Sequence, residues 1–227
     1  MKTVILAAGI GSRLGKNNPK PLAQLYKDKT ILDFQVEKIA RKVGIHNIVV
    51  VVGYKKEMIM ERYPQLLYVY NPAFKQTNTA KSLLLALEKI EEDVLWLNGD
   101  VYFDESLLDL LLTSKYSSCL VNIEECGEEE IKYSTDDKGF IQQLSKQVEN
   151  AKGEAVGINL VKKGDLNNFK RELDAVEENA YFEKALENLT LAKKLQLKPV
   201  DMGNYYCKEI DFPEDLVAVQ QFINRNV

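Results

Sequence analysis

A chain of 227 residues, 45% apolar and 28% charged, is long enough to bury a sizeable core in one large domain. Its net charge of −4 argues against nucleic-acid and anionic-membrane partners, no apolar run reaches the length of a membrane span, and the N-terminus lacks a secretory-leader pattern. The three cysteines, Cys119, Cys126 and Cys207, are odd in number and lack metal-site spacing, so they read as reduced thiols of a cytoplasmic protein.

The first half alternates short apolar runs with helical patterns. Strands are predicted over Thr3–Ala7, Asn47–Val52, Leu67–Tyr70 and Val94–Asn98, and helices over Ile31–Val43, Lys55–Tyr63 and Thr79–Ile90. Strand, helix, strand with short links implies a parallel sheet covered on both faces. A helix over Ser106–Leu112 and a strand over Ser118–Ile123 follow. Beyond residue 125 the texture changes. Ile131–Ser134 and Phe140–Leu144 flank a turn sequence ending in Gly139 and predict a hairpin. Ala155–Val161 reads as a strand, and Asp165–Val176 and Ala180–Leu189 as helices. Leu197–Val200 and Tyr205–Glu209 read as short strands. A last helix over Phe212–Asn224 has Pro213 in its first turn.

The chemistry concentrates first in residues 6–22, LAAGIGSRLGKNNPKPL, directly after the apolar run of the first strand. Glycines let backbone N–H groups approach a phosphate, and Arg13 and Lys20 add positive charge. The spacing misses both common phosphate loops. A dinucleotide fingerprint needs a glycine one position before Gly15, and a phosphate loop needs one residue fewer between Gly9 and Gly15 and a hydroxyl after Lys16. A tight turn with solvating cations is the competing reading.

The whole run resembles the N-terminal signature of nucleotidyltransferases of the sugar-nucleotide pyrophosphorylase type, L-A-A-G-x-G-S/T-R-L/M followed by P-K-x-L. The resemblance implies an α/β fold: a Rossmann-like, mostly parallel central sheet flanked by helices, with a small antiparallel β-hairpin and a helical acceptor-side subregion. It implies that Leu6, Ala7, Ala8, Gly9, Gly11 and Ser12 wrap the triphosphate of a nucleotide. Arg13 and Lys20 would be the catalytic cations. Residues 1–227 would form one nucleotidyltransferase domain, with residues 1–124 holding the nucleotide. Residues 125–227 would hold the acceptor and a second metal carboxylate.

Asp100 ends the Val94–Asn98 strand at the edge where open α/β sheets bind ligands. Alone such a residue reads as a turn or cap, but beside the opening motif the resemblance makes it a Mg²⁺ ligand. The segment Lys208–Leu216 is similar to the family's x-x-I-D-T-P-E-D-L, with Phe212 replacing the usual Thr or Asp, and puts Asp211 on the second metal position. Glu209 is a weaker candidate, two residues along a strand from Asp211. Glu214 and Asp215 read as first-turn helix residues. Asn78, Thr79 and Ser82 resemble the base- or ribose-reading segment of the smaller, phosphocholine-type cytidylyltransferases, while Asn78 also reads as an N-cap. Gly53 ends a strand at the same edge and reads equally as nucleotide-binding or as a plain turn.

On the acceptor side, Glu154 and Gly157 stand in a G-E-x-x-G-I segment like that lining the family's acceptor pocket. Tyr181 and Glu183 resemble its Y-Y-E helix start, where an aromatic and a carboxylate suit an ammonium group; a solvated helix glutamate is the other reading of Glu183. The resemblance thus implies transfer from CTP to a small phosphorylated acceptor such as phosphocholine or phosphoglutamine, as in surface-polysaccharide (capsule) decoration. Its same-class rival is a sugar-1-phosphate uridylyl- or thymidylyltransferase. No hexapeptide repeat follows, so no acetyltransferase fusion is expected. The methylerythritol-phosphate branch is set aside because its His-Asp-Ala-Ala-Arg-Pro segment is missing. A non-catalytic nucleotide-binding protein of the same fold is the alternative from another class, but it would be expected to have lost Lys20 or a carboxylate. The oligomeric state stands between monomer and homodimer.

Overall fold

The computed structural model describes residues 1–11, 18–123, 126–127 and 130–226. The chain opens with β1 (Lys2–Ala7). A 3₁₀ turn at Lys20–Leu22 leads into β2 (Gln24–Tyr26), β3 (Lys29–Thr30) and α1 (Ile31–Val43). Next come β4 (Ile48–Val52), α2 (Lys56–Arg62), β5 (Leu67–Tyr70), α3 (Thr79–Leu87), β6 (Val94–Asn98), β7 (Val101–Phe103) and α4 (Ser106–Leu112). The second half contains β8 (Ser117–Val121), β9 (Lys132–Thr135), β10 (Ile141–Ser145) and β11 (Gly153–Val161), then α5 (Lys163–Ala175) and α6 (Phe182–Leu191). It closes with β12 (Leu197–Asp201), β13 (Cys207–Glu209) and α7 (Pro213–Asn226).

The main sheet runs β10-β9-β11-β6-β1-β4-β5, with β8 also on β11 and β12 on β8. Strands β6, β1, β4 and β5 are parallel, and β11 adds to β6 antiparallel. Alternation along β1 decides the two core layers. Val4 and Leu6 pack with Leu83, Trp96, Phe169 and Phe182 under α3, α5 and α6. Ile5 and Ala7 pack with Leu32, Val36, Val50, Leu97 and Leu108 under α1 and α4. Fully buried Trp96 has Phe169 at 5.2 Å and Phe182 edge-on at 5.6 Å. Burial of each of these rings stabilises the fold by about 2–3 kcal/mol.

Register brings the strand ends together. Leu6 pairs with Val51 on one side and Asn98 on the other, so β1, β4 and β6 finish at one edge of the sheet. The predicted hairpin is present as β9–β10. Two small antiparallel pairs were not expected, β2–β3 and β7–β13. Helix α3 stops at Leu87, three residues short of the predicted end, because Ile90 N turns back to Leu87 O. The β7–β13 ribbon sets Glu209 opposite Val101, and Ile210 N donates to Asp100 O at 3.0 Å. Ile210, Tyr102, Leu25, Val219 and Ile223 form a third small core that fixes the ribbon to α7 and β2. Among the described residues no helix is long and apolar enough to cross a membrane.

Candidate active site

A cavity of about 1240 Å³ opens at the edge where β1 and β6 end. Its floor is Leu6, Ala7, Gly9 and Gly11 on one side and Asn98, Gly99 and Asp100 on the other. Gly11 has φ +61°, and a Cβ there would lie 2.6 Å from Lys20 Cβ. The glycine therefore admits both the left-handed turn and the approach of the Lys20 stem.

Lys20 leaves the 3₁₀ turn with its side chain 10% exposed, and its ammonium lies 2.6 Å from Asp100 Oδ2 and 2.5 Å from Asp211 Oδ1. Burial works against its charge, but Asp100 and Asp211 outweigh burial and hold the Lys20 pKa above the ordinary lysine value. Glu209 completes the cluster. One carboxylate oxygen from each of Asp100, Glu209 and Asp211 lies within 4.8 Å of the others. Glu209 is exposed at the cavity, and the crowding of protein around its carboxyl together with the charges of Asp100 and Asp211 pushes it well above the usual carboxylate range, against the pull of Lys20. Asn98 Nδ2 lies 3.5 Å from Glu209 Oε1. Asp211 is held from below, since Asp215 Oδ2 accepts from the backbone N–H of Asp211 and Phe212 at 3.1 and 2.9 Å. Asp215, which also pairs with Lys208 at 3.0 Å, therefore acts as the helix-start residue that the sequence predicts.

The far wall comes from α3, α6 and β11. Asn78 and Thr79 line it, and Asn78 is also the N-cap of α3, its Oδ1 accepting from Thr79 N at 2.9 Å. Thr79 Oγ1 accepts from Phe182 N at 3.1 Å and joins the starts of α3 and α6. Glu183, in the first turn of α6, lines the cavity at 7% exposure, and its Oε2 has no hydrogen-bond partner among the described residues. Burial pushes its carboxyl up to about 7. Tyr181 beside it is half exposed. Glu154 also lines the cavity, with Oε1 accepting from Asn122 Nδ2 at 2.6 Å. Gly157 has φ +74°, and a Cβ there would fall 2.9 Å from Asn98 Nδ2. The close approach that this glycine permits is thus one made by Asn98.

Three residues expected at the nucleotide do not line the cavity. Ala8 is buried and accepts from Tyr54 N at 3.1 Å, and Gly53 is packed against the Ala8 carbonyl and Phe74. Ser82 is buried and accepts from Asn71 Nδ2 at 2.9 Å. Ser12 and Arg13 lie outside the described residues. Glu209, the weaker carboxylate candidate from the sequence, joins the cluster, and Asn98, which opens the Asn98-Gly99-Asp100 stretch, lines the cavity beside it.

Lysine and carboxylates gathered beside a glycine turn at the end of a parallel β-strand point to phosphate chemistry. The sequence matches the family model described as the MobA-like NTP transferase domain over residues 3–156. The chain belongs to this family. It is 30% identical over 99% of its length to the bifunctional protein GlmU of Methanococcus maripaludis and covers 55% of that protein. It spans about half the length of the first such curated relatives that it matches. It is 35% identical to the choline-phosphate cytidylyltransferase of Streptococcus pneumoniae over 57% of each chain. Among solved structures, the inositol-1-phosphate CTP transferase of T. maritima has the same fold, with a TM-score of 0.80 at 19% identity over 100% of this chain and 97% of the other.

Proposed function

We propose that this NTP-transferase-family protein transfers the cytidylyl group of CTP to a small phosphorylated acceptor bearing an amine, with release of pyrophosphate. The observation that carries the reading is the convergence of Lys20, Asp100, Glu209 and Asp211 beside the glycine turn. An oxygen of the acceptor phosphate attacks the α-phosphorus. The new P–O bond forms as the bond to the β-phosphate oxygen breaks, and pyrophosphate leaves. No protein base is required, because a phosphate monoester is largely ionised near neutral pH. Catalysis is then positioning and charge neutralisation. Lys20 neutralises charge around the reacting phosphorus, and the place of Arg13 in the motif assigns it to the leaving phosphates.

The cluster fits Mg²⁺. Its donors are all carboxylate oxygens, and Asp100 Oδ1 is buried without a partner among the described residues. Asp100, Glu209 and Asp211 would hold the ion, which supplies Lewis-acid stabilisation of phosphate charge when bound. Asn78 and Thr79 are assigned to the base and ribose. Glu183 and Tyr181 suit an ammonium group, which would restore the Glu183 charge and meet an aromatic face. The choline-phosphate cytidylyltransferase relative supports this acceptor class, and phosphoglutamine and phosphocholine are the first two to test.

A sugar-1-phosphate uridylyl- or thymidylyltransferase is the second reading, favoured by a relative named as a D-glycero-alpha-D-manno-heptose 1-phosphate guanylyltransferase, 29% identical over 95% of this chain. Crossing the four nucleoside triphosphates with phosphorylated amines, amino acids and sugars, and measuring pyrophosphate release, separates the two. Release with CTP and a phosphorylated amine is expected. Release only with a sugar 1-phosphate overturns the acceptor assignment, and no release with any pair overturns the activity.

A further inference from the structure

We propose that Gln35 is a positioning residue for the turn that carries Asp100, an inference that rests on the nucleotidyl-transfer reading above. Gln35 lies on the buried face of α1 at 1% exposure. Its Nε2 donates to Asn98 O at 2.9 Å and to Val101 O at 2.7 Å. These two carbonyls bracket Gly99-Asp100, the link between β6 and β7. Both amide hydrogens are thereby used, and the orientation of the amide is settled, since a flipped Oε1 would face two carbonyl oxygens.

The same turn is held at two further points by backbone alone. Gly99 N donates to Leu6 O at 2.9 Å, and Ile210 N donates to Asp100 O at 3.0 Å. The first contact fixes the turn to β1 and the second to the chain that carries Asp211. Gln35 is the side chain that ties it to the opposite layer. Its Oε1 is buried with no partner among the described residues. An unpaired buried acceptor is costly, so this amide sits where an apolar side chain would be easier to fold. Its return is the placement of the two carbonyls.

The base of Gln35 is itself rigid. Helix α1 begins with a capping box in which Asp33 N donates to Thr30 Oγ1 at 3.3 Å and Thr30 N donates to Asp33 Oδ2 at 2.8 Å. Arg62 bonds the same carboxylate at 2.7 Å. The helix start, Gln35 and the Asp100 turn thus form one hydrogen-bonded unit, and the distances from Asp100 to Lys20 and to the other carboxylates depend on it.

The test is Mn²⁺ binding, read by electron paramagnetic resonance on the full chain, alone and with CTP present and acceptor omitted. Gln35→Met keeps the length of the side chain but removes both donors. It should weaken Mn²⁺ binding by roughly tenfold or more, the range found when groups supporting metal ligands are removed. Gln35→Glu keeps the shape but offers at most one hydrogen to the two carbonyls, and should weaken Mn²⁺ in the same direction. Ile39→Val, a fully buried change on the same helix, should leave Mn²⁺ affinity within twofold while lowering the melting temperature. Wild-type Mn²⁺ affinity in folded Gln35→Met or Gln35→Glu, or an equal loss in Ile39→Val, overturns the role of Gln35. Failure of the wild type itself to bind Mn²⁺ with CTP present overturns the metal assignment, and this role with it.

Discussion

Lys20 Nζ and Asp100 Oδ2 lie 2.6 Å apart, and the same ammonium reaches Asp211 at 2.5 Å, so a lysine sits among the carboxylates that suit a divalent cation. Ammonium and metal ion then compete for the same oxygens. A triphosphate arriving beside Gly11 would offer Lys20 another anion and release the carboxylates. Lys20→Met is therefore expected to tighten Mn²⁺ binding to the nucleotide-free protein by about tenfold. In the absence of metal it should lose roughly 1–3 kcal/mol of stability, the range for losing a hydrogen bond to a charged group, because Asp100 and Asp211 are both partly exposed to solvent. Melting curves with and without Mg²⁺ check both effects, and an unchanged response to Mg²⁺ rejects the competition.

Asp100→Asn tests the same carboxylate from the catalytic side. The substitution keeps the shape but removes a charge from the site of phosphate chemistry. Pyrophosphate release should fall about 100- to 1,000-fold, as when one preorganised electrostatic group is lost. Turnover near that of the wild type would remove Asp100 from the site.

Gly157→Ala acts through Asn98. The φ of +74° costs an L-residue about 1–2 kcal/mol, and the new methyl would meet Asn98 Nδ2 at 2.9 Å. The variant should melt several degrees lower and lose activity, because Asn98 can no longer keep its place beside Glu209. If Asn98 transmits the effect, Asn98→Ala should relieve part of the stability loss in the double variant.

The site was legible where its signals are local. An apolar run into a glycine turn marks β1 and the turn at Gly9 and Gly11, and a carboxylate at the end of an apolar strand puts Asp100 at the ligand edge of the sheet, although only the resemblance gives it a metal. Asp211 was reached through a resemblance, because what brings it to Asp100 is the pairing of β13 with β7, two strands of three residues far apart in sequence. No periodicity marks strands so short. The same pairing gives weight to Glu209, which alternation along one strand already sets on the face of Asp211. In α3 the apolar pattern continues to buried Ile90 after the helix has ended, so periodicity there reports burial and not helix length. Gln35 did leave a local trace, a polar residue between Leu32, Val36 and Ile39 on the apolar face of α1. That anomaly marks a buried hydrogen-bond donor, but its partners could be found only in three dimensions.

Glu183 links the acceptor wall to stability. Its carboxyl is raised from 4.5 to about 7 by burial, so the folded state keeps a proton that the unfolded chain has released. Below about pH 4 both states are protonated and the group contributes nothing. As pH rises towards 7 the folded state loses stability, by on the order of 3 kcal/mol in all, and above that the loss is constant. Glu183→Gln removes this dependence. It should match the wild type near pH 4 and be the more stable protein at pH 8, as read from urea melts at several pH values. The same variant cannot offer a negative charge to an ammonium group, so KM for a cationic acceptor should rise more than kcat falls. Parallel stability profiles for the two proteins would show that Glu183 is not a buried, unpaired acid. A gain in stability without a change in KM would leave it a buried acid and remove it from the acceptor site.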